Sequence, residues 1–227
     1  MWVRGLLFGL LLLGLTGCNL GPLSMGEANL TDPQDIISQA KGKMQGEVDS
    51  FHFHLEAKAQ GLESTATISS FDLKGDGDAV RPSKISWSGT LSADASSAKT
   101  EIIIIEDKGW VRSGDGKWEQ SNDFNSFFNF LVPVKQGGEV EYKDITKLGD
   151  EAVNGENCYH LKVSTDPGQL GGDLKSLDGE IWISKGDLRY RQVKLGLSLP
   201  SISSLEISAQ FLNFNEYKGK IEEPKTD

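Results

Sequence analysis

Positive charge, cysteine and long apolar runs are all scarce in this chain. Lys and Arg total 23 against 33 Asp and Glu, a net charge of −10. A phosphate backbone needs a basic footprint, so nucleic-acid partners are excluded. The same deficit argues against recruitment to anionic lipid by a basic patch. Only two cysteines (Cys18 and Cys158) and three histidines are present. No G-x-S-x-G, H-E-x-x-H, phosphate-loop or G-x-G-x-x-G pattern occurs, so nothing specific supports catalysis, and neither an enzyme nor a cofactor is expected. The leading apolar run, Gly5 to Leu15, is well short of the roughly 20 residues that span a bilayer.

What that run does have is a signal-like layout. Arg4 precedes it and small residues close it, as in a secretory signal. An Ala-x-Ala-like site is missing. Instead Leu15-Thr16-Gly17-Cys18 resembles the bacterial lipobox, in which the cysteine is lipidated and becomes the first mature residue. The implied organisation is a signal peptide at 1–17, lipidated Cys18 with a flexible tether over 18–31, and a single domain over 32–227. The chain would then be anchored to the extracytoplasmic face of a bacterial membrane through its lipid. Residues 19–31 lack periodicity and reach at most about 45 Å when extended. With Cys18 lipidated, Cys158 has no disulfide partner and is expected as a buried structural thiol.

Beyond the tether, local signals read as α+β. Asp32 is a plausible N-cap and Pro33 suits the first helical position. Ile36, Ile37, Ala40 and Met44 form one apolar stripe, with Gly46 as the stop. Alternating segments follow, first FHFHLEAKA with Phe51, Phe53 and Leu55 on one face. Asp-Gly, Asn-Gly and Lys-Gly pairs between them favour tight hairpins, hence a sequential antiparallel sheet. GDGD at 75–78 reads as one of these turns. SNDFNSFFNFLVP places Phe124, Phe127, Phe128 and Leu131 at helical spacing, predicting a second helix over 121–131. The stretch DPGQLGGDLKSL is short and Gly-rich, and reads as a loop with at most one helical turn.

Apolar residues exceed what a one-sided sheet needs. Ile102 to Ile105 are consecutive, so both faces are covered there or one lines an apolar cavity. LGLSLPSIS adds Leu195, Leu197, Leu199 and Ile202. Either a plain core or a cavity accounts for this surplus.

The order of several short motifs resembles the LppX/LprG family of mycobacterial-type cell-envelope lipoproteins. They are Asp49-Ser50-Phe51-His52 after the helix, Gly75-Asp76-Gly77-Asp78 before Pro82, and Ile105-Glu106-Asp107-Lys108-Gly109-Trp110 followed by Lys117-Trp118. Gly149-Asp150-Glu151-Ala152-Val153-Asn154-Gly155 and Ile181-Trp182-Ile183-Ser184 follow in the same order. The resemblance covers about residues 33–224. It implies a LolA-like half-barrel, a curved antiparallel sheet with a few helices on its concave face. It also implies an apolar cavity that binds acylated lipid or glycolipid and carries it within the envelope. Wall candidates are Phe51, Phe53, Leu55, Ile102, Ile104 and Trp182. Lid candidates are Phe124, Phe127, Phe128, Leu131, Leu197 and Leu199. Related half-barrels imply an alternative, a sensing or interaction module without transport, facing a membrane regulator or transporter. A monomer is expected.

Metal readings are weak. His52 and His54 share a strand face without a third ligand nearby, and a polar face opposite Phe51 and Phe53 explains them. Asp76 and Asp78 lack the remaining ligands of a calcium loop.

Overall fold

The structure, a computed structural model, describes residues 29–62, 70–94, 96–122, 128, 142–165, 176–199 and 202–226. Cys18, the signal, residues 18–28 of the tether, Phe124, Phe127 and Leu131 lie outside the described residues. No helix among the described residues is long and apolar enough to cross a membrane.

Helix α1 spans Pro33–Glu47. The Asp32 carboxylate accepts from Gln34 N at 2.8 Å, which satisfies one of the open donors of the first turn. Ile36, Ile37, Ala40 and Met44 are buried, as the stripe predicts. Gly46 does not end the helix. Lys43 pairs with Glu47 one turn on, and Val48 then turns extended. The open carbonyls of the last turn find side chains instead: the Arg81 guanidinium donates to Met44 O and Gln45 O, and Asn215 Nδ2 donates to Glu47 O at 2.7 Å.

Among the described residues eleven strands make one antiparallel sheet. They are β1 (Ser50–Leu62), β2 (Ser70–Val80), β3 (Lys84–Ala93), β4 (Ser96–Ile105), β5 (Lys108–Ser113) and β6 (Glu119–Gln120), then β7 (Tyr142–Val153), β8 (Glu156–Thr165), β9 (Ser176–Ser184), β10 (Tyr190–Leu199) and β11 (Ile202–Leu212). The order across the sheet is β6-β5-β4-β3-β2-β1-β11-β10-β9-β8-β7. Two sequential meanders, β1–β6 and β7–β11, are therefore joined where the first strand meets the last. The sheet is not closed, and with α1 it forms a curved half-barrel of the α+β class. Asn154 and Gly155 form the two-residue β7–β8 turn, with φ of 51° and 82°, the left-handed pair that Asn-Gly favours.

Gly75-Asp76-Gly77-Asp78 is not a turn. It lies inside β2, with Gly77 opposite both Phe53 and Trp87 and Gly75 opposite Gly89. Tertiary packing overrides turn grammar here. A Cβ at Gly77 would stand 2.6 Å from Ser86 O and 2.8 Å from Phe53 Cε1. One at Gly75 would stand 2.7 Å from Trp87 Cζ2, and one at Gly89 2.6 Å from Trp87 Cη2. The three glycines make a bare floor on which two large rings lie. On the opposite face, Asp78 and Asp76 contact Nδ1 of His52 and His54 at 3.0 and 2.9 Å.

The isoleucine run alternates after all. Ile102 and Ile104 join the core, whereas Ile103 and Ile105 face the other side, where Trp110 pairs in register with Ile103. That side is covered too. Lys84 Nζ donates to Ile221 O at 3.4 Å and Lys108 pairs with Glu223 at 3.2 Å, bringing the C-terminal segment over β3 and β5.

Candidate functional site: the apolar face of the sheet

Strand alternation sends one side chain in two to a single face, and that face is the core. Phe51, Phe53, Leu55 and Ala57 from β1 meet Leu73 and Ala79 from β2, Ile85 and Trp87 from β3, and Ile102 and Ile104 from β4. From the other meander come Tyr159, Leu161, Val163, Ile181, Ile183, Tyr190, Leu195, Ile207, Ala209 and Phe211. The buried stripe of α1 lies on the same cluster, as does Phe128. Five of the six wall candidates are thus together. The sixth is not.

Trp182 lies on the polar face, buried with Val153 and Cys158. Its ring stacks on His160 at 4.3 Å and 16°, and its Nε1 donates to Glu151 at 2.9 Å. The reason is parity: Ile181 and Ile183 take the core side, so the residue between them cannot. Of the lid candidates, Phe128 is fully buried in the cluster and Leu197 packs against it half-buried. Leu199 belongs to β10, but its side chain lies outside the described residues.

The rings meet at steep angles, Phe128–Phe53 and Phe51–Phe211 edge to face and Phe128–Trp87 tilted at 55°. Phe128 stands 6.3 Å from Phe53 and 6.2 Å from Trp87, and Phe51 stands 5.6 Å from Phe211 at 75°. These offsets suit the ring quadrupoles. Among the described residues Trp87 is the largest fully buried side chain, and sequence reasoning did not single it out, although KISWSG already puts Ile85 and Trp87 on one parity.

Few polar atoms interrupt this face. Trp87 Nε1 and Thr165 Oγ1 are buried without a hydrogen-bond partner among the described residues. Burial pushes the Tyr142 phenol up to about 12 and the Tyr190 phenol higher still, so both stay neutral. Lys41 Nζ lies 5.3 Å above the Tyr142 ring, joining α1 to β7. Cys158 is a buried free thiol on the other face, and burial raises it to about 11.

The polar face is paired and charged. His54 reaches Asp76 at 2.9 Å and Glu56 at 3.2 Å, and His160 reaches Glu151 and Glu180, each at 3.1 Å. Among the described residues no group of three or more His, Cys, Asp or Glu side chains is arranged to hold a metal ion. An open groove of about 610 Å³ on this face is lined by Glu56, Lys58, Lys162, Asp178, Lys194 and Glu206, among others, a lining unsuited to an acyl chain.

No protein-family model matches the sequence, and no curated protein matches it. Solved structures do share the fold. LprF from Mycobacterium bovis superposes with a TM-score of 0.58 at 11% identity, over 85% of this chain and 96% of that one. The lipoprotein LppX from Mycobacterium tuberculosis superposes with a TM-score of 0.57 at 17% identity, over 85% of this chain and 100% of that one. The likeness expected from the motif order is therefore met at the level of the fold.

Proposed function

We propose that the protein is a membrane-tethered lipoprotein that binds an acylated lipid or glycolipid on the apolar face and carries it within the envelope. The observation that supports this most is the face itself: an open curved sheet whose aliphatic and aromatic side chains continue across ten strands, on the fold of a lipoprotein. Each acyl methylene removed from water contributes about 0.8 kcal/mol. About a dozen supply roughly 10 kcal/mol before the cost of association, with no charged clamp. The glycine floor lets the Phe53 and Trp87 rings approach the backbone of the sheet closely. Trp87 Nε1 offers such a ligand a donor, and the ester or amide carbonyl at the head of an acyl chain is an acceptor it lacks.

This reading makes the protein a binding protein without catalysis, monomeric, and held to the extracytoplasmic side of the membrane by lipid on Cys18. Organic extraction and mass spectrometry of protein purified from a bacterial membrane is the test, together with lipid transfer between vesicles. Co-purified acyl lipid and transfer above the vesicle-only rate are expected. Absence of both overturns the proposal.

A further inference from the structure

A second concavity lies at the end of the sheet where β7 turns into β8 and β9 into β10. It encloses about 340 Å³ and is lined by Asn154, Glu156, Asp187, Arg189, Arg191 and Glu216, with Phe211, Leu212, Asn213 and Phe214 behind them. We infer that this pocket binds a phosphoryl group, with the Arg189 guanidinium as its principal donor. The inference does not depend on the acyl-lipid reading.

Two arginines share one aromatic ring here. Arg189 Cζ and Arg191 Cζ lie 5.3 and 5.0 Å from the centre of Phe214. Their partners differ. Arg191, whose side chain is 7% exposed, holds Glu156 at 2.7 Å and Asp187 at 2.8 Å, so both carboxylates are spent on it. Arg189, at 22% exposure, has as its nearest carboxylate oxygen Asp187 Oδ2, 3.6 Å from Nη1 and beyond hydrogen-bond length. Its Nε is buried without a partner among the described residues. A guanidinium this enclosed normally has its N–H groups filled. With Nε enclosed, the planar fork of its two Nη groups is the part that matches a phosphoryl or carboxyl group, held by two parallel bonds. Asn154 and Asn213 line the same pocket, and an amide side chain carries two N–H donors suited to an anion with more than two oxygens. Glu216 is the acid in the lining that no arginine holds, and it opposes the anion.

The backbone around the pocket supports a built site. Six non-glycine residues among those described have left-handed φ, and four gather here: Asn154 (51°), Leu188 (56°), Asn213 (48°) and Asn215 (62°). Leu188, between the lining residues Asp187 and Arg189, is bulky and has no side-chain polar group to compensate. Asparagine takes the left-handed region readily, so of the four only Leu188 is strained, and strain beside a pocket points to use.

The phosphoryl group can be free or at the head of a lipid, and the test separates the two. The 15N-labelled full-length chain is titrated with inorganic phosphate, with dioctanoyl phosphatidic acid, and with dioctanoyl glycerol, following the Arg189 Nε–H signal. Saturable movement with phosphate assigns a free anion, and saturable movement with phosphatidic acid alone assigns a lipid head group. Arg189→Lys is expected to weaken binding at least tenfold by losing the fork. Glu216→Gln is expected to tighten it severalfold by removing the opposing charge, and it touches no packed contact. The inference is overturned if neither phosphorylated probe saturates the signal or if dioctanoyl glycerol moves it equally. An unchanged Kd in Glu216→Gln or in folded Arg189→Lys overturns it as well. Binding of dioctanoyl glycerol elsewhere on the protein bears on the acyl-lipid proposal alone.

Discussion

Gly77→Ala tests whether the glycine floor is a requirement of packing. The added methyl meets two obstacles at once, Ser86 O at 2.6 Å and Phe53 Cε1 at 2.8 Å. The first belongs to the backbone of the paired strand and cannot swing aside. The second belongs to a fully buried ring that Phe51 and Phe128 hold in place. Overpacking of a tight core costs about 1–3 kcal/mol, and two obstacles, one of them backbone, put this site at the upper end. Alanine recovers about 0.5–1 kcal/mol of the backbone entropy that glycine loses on folding. The net loss is about 2 kcal/mol, which lowers Tm by about 4–8 °C in a chain of this size. The same substitution at Gly42 has the opposite sign. That glycine is exposed on α1 with nothing within 4 Å of a new Cβ, so alanine raises stability by about 0.5–1 kcal/mol. Calorimetric melts of both variants, with urea unfolding to check that the m-value is unchanged, decide the matter. Adding Phe53→Leu to Gly77→Ala recovers part of the loss, because one obstacle is removed and the backbone one stays. A Gly77→Ala protein as stable as the parent refutes the reasoning.

Further expectations follow from other parts of the molecule. Asp32→Ala removes the cap of α1 and costs about 1 kcal/mol in urea unfolding, whereas Asp32→Ser costs little. Cys158 and Tyr142 have folded values raised to about 11 and about 12, above their ordinary ones, so the native state holds their protons longer. Stability is then fully present below pH 9 and falls as pH rises through 9 to 12. Urea midpoints that stay flat from pH 8 to pH 11 contradict this. Native Cys158 resists iodoacetamide at pH 8 and is alkylated only after unfolding. Cys18→Ser leaves the fold intact and moves the protein from the membrane to the soluble fraction, and retention in the membrane refutes the anchor.

What could be read in advance was local. Asp32, Pro33 and the stripe from Ile36 to Met44 specify α1 without help from the rest of the chain, and Asn154-Gly155 specifies its hairpin. What escaped was imposed from across the sheet. Gly75 and Gly77 look like turn residues because glycine allows turns, but they are needed for the space above them, and that need arises from Phe53 one strand away and Trp87 on the other side. Trp182, a wall candidate on the family resemblance, faces the other way because Ile181 and Ile183 already claim the core parity. The pocket around Arg189 joins residues 154–156, 187–191 and 211–216. Their meeting depends on the strand order, which no local pattern reports.

The seam between the two meanders bears on how the chain reaches this state. β1 pairs with β11 from His52–Leu212 to Leu62–Ile202, so neither half of the sheet supplies both neighbours of its own inner strand. Closing that pairing brings together residues from 140 (Leu62–Ile202) to 160 (His52–Leu212) positions apart, and such non-local closures slow folding. Until the last strand arrives, β1 offers a bare hydrogen-bonding edge whose core-side row is Phe53, Leu55, Ala57 and Ala59. A chain cut before Ile202 would keep that edge, and intermolecular pairing along it is the expected fate of the fragment.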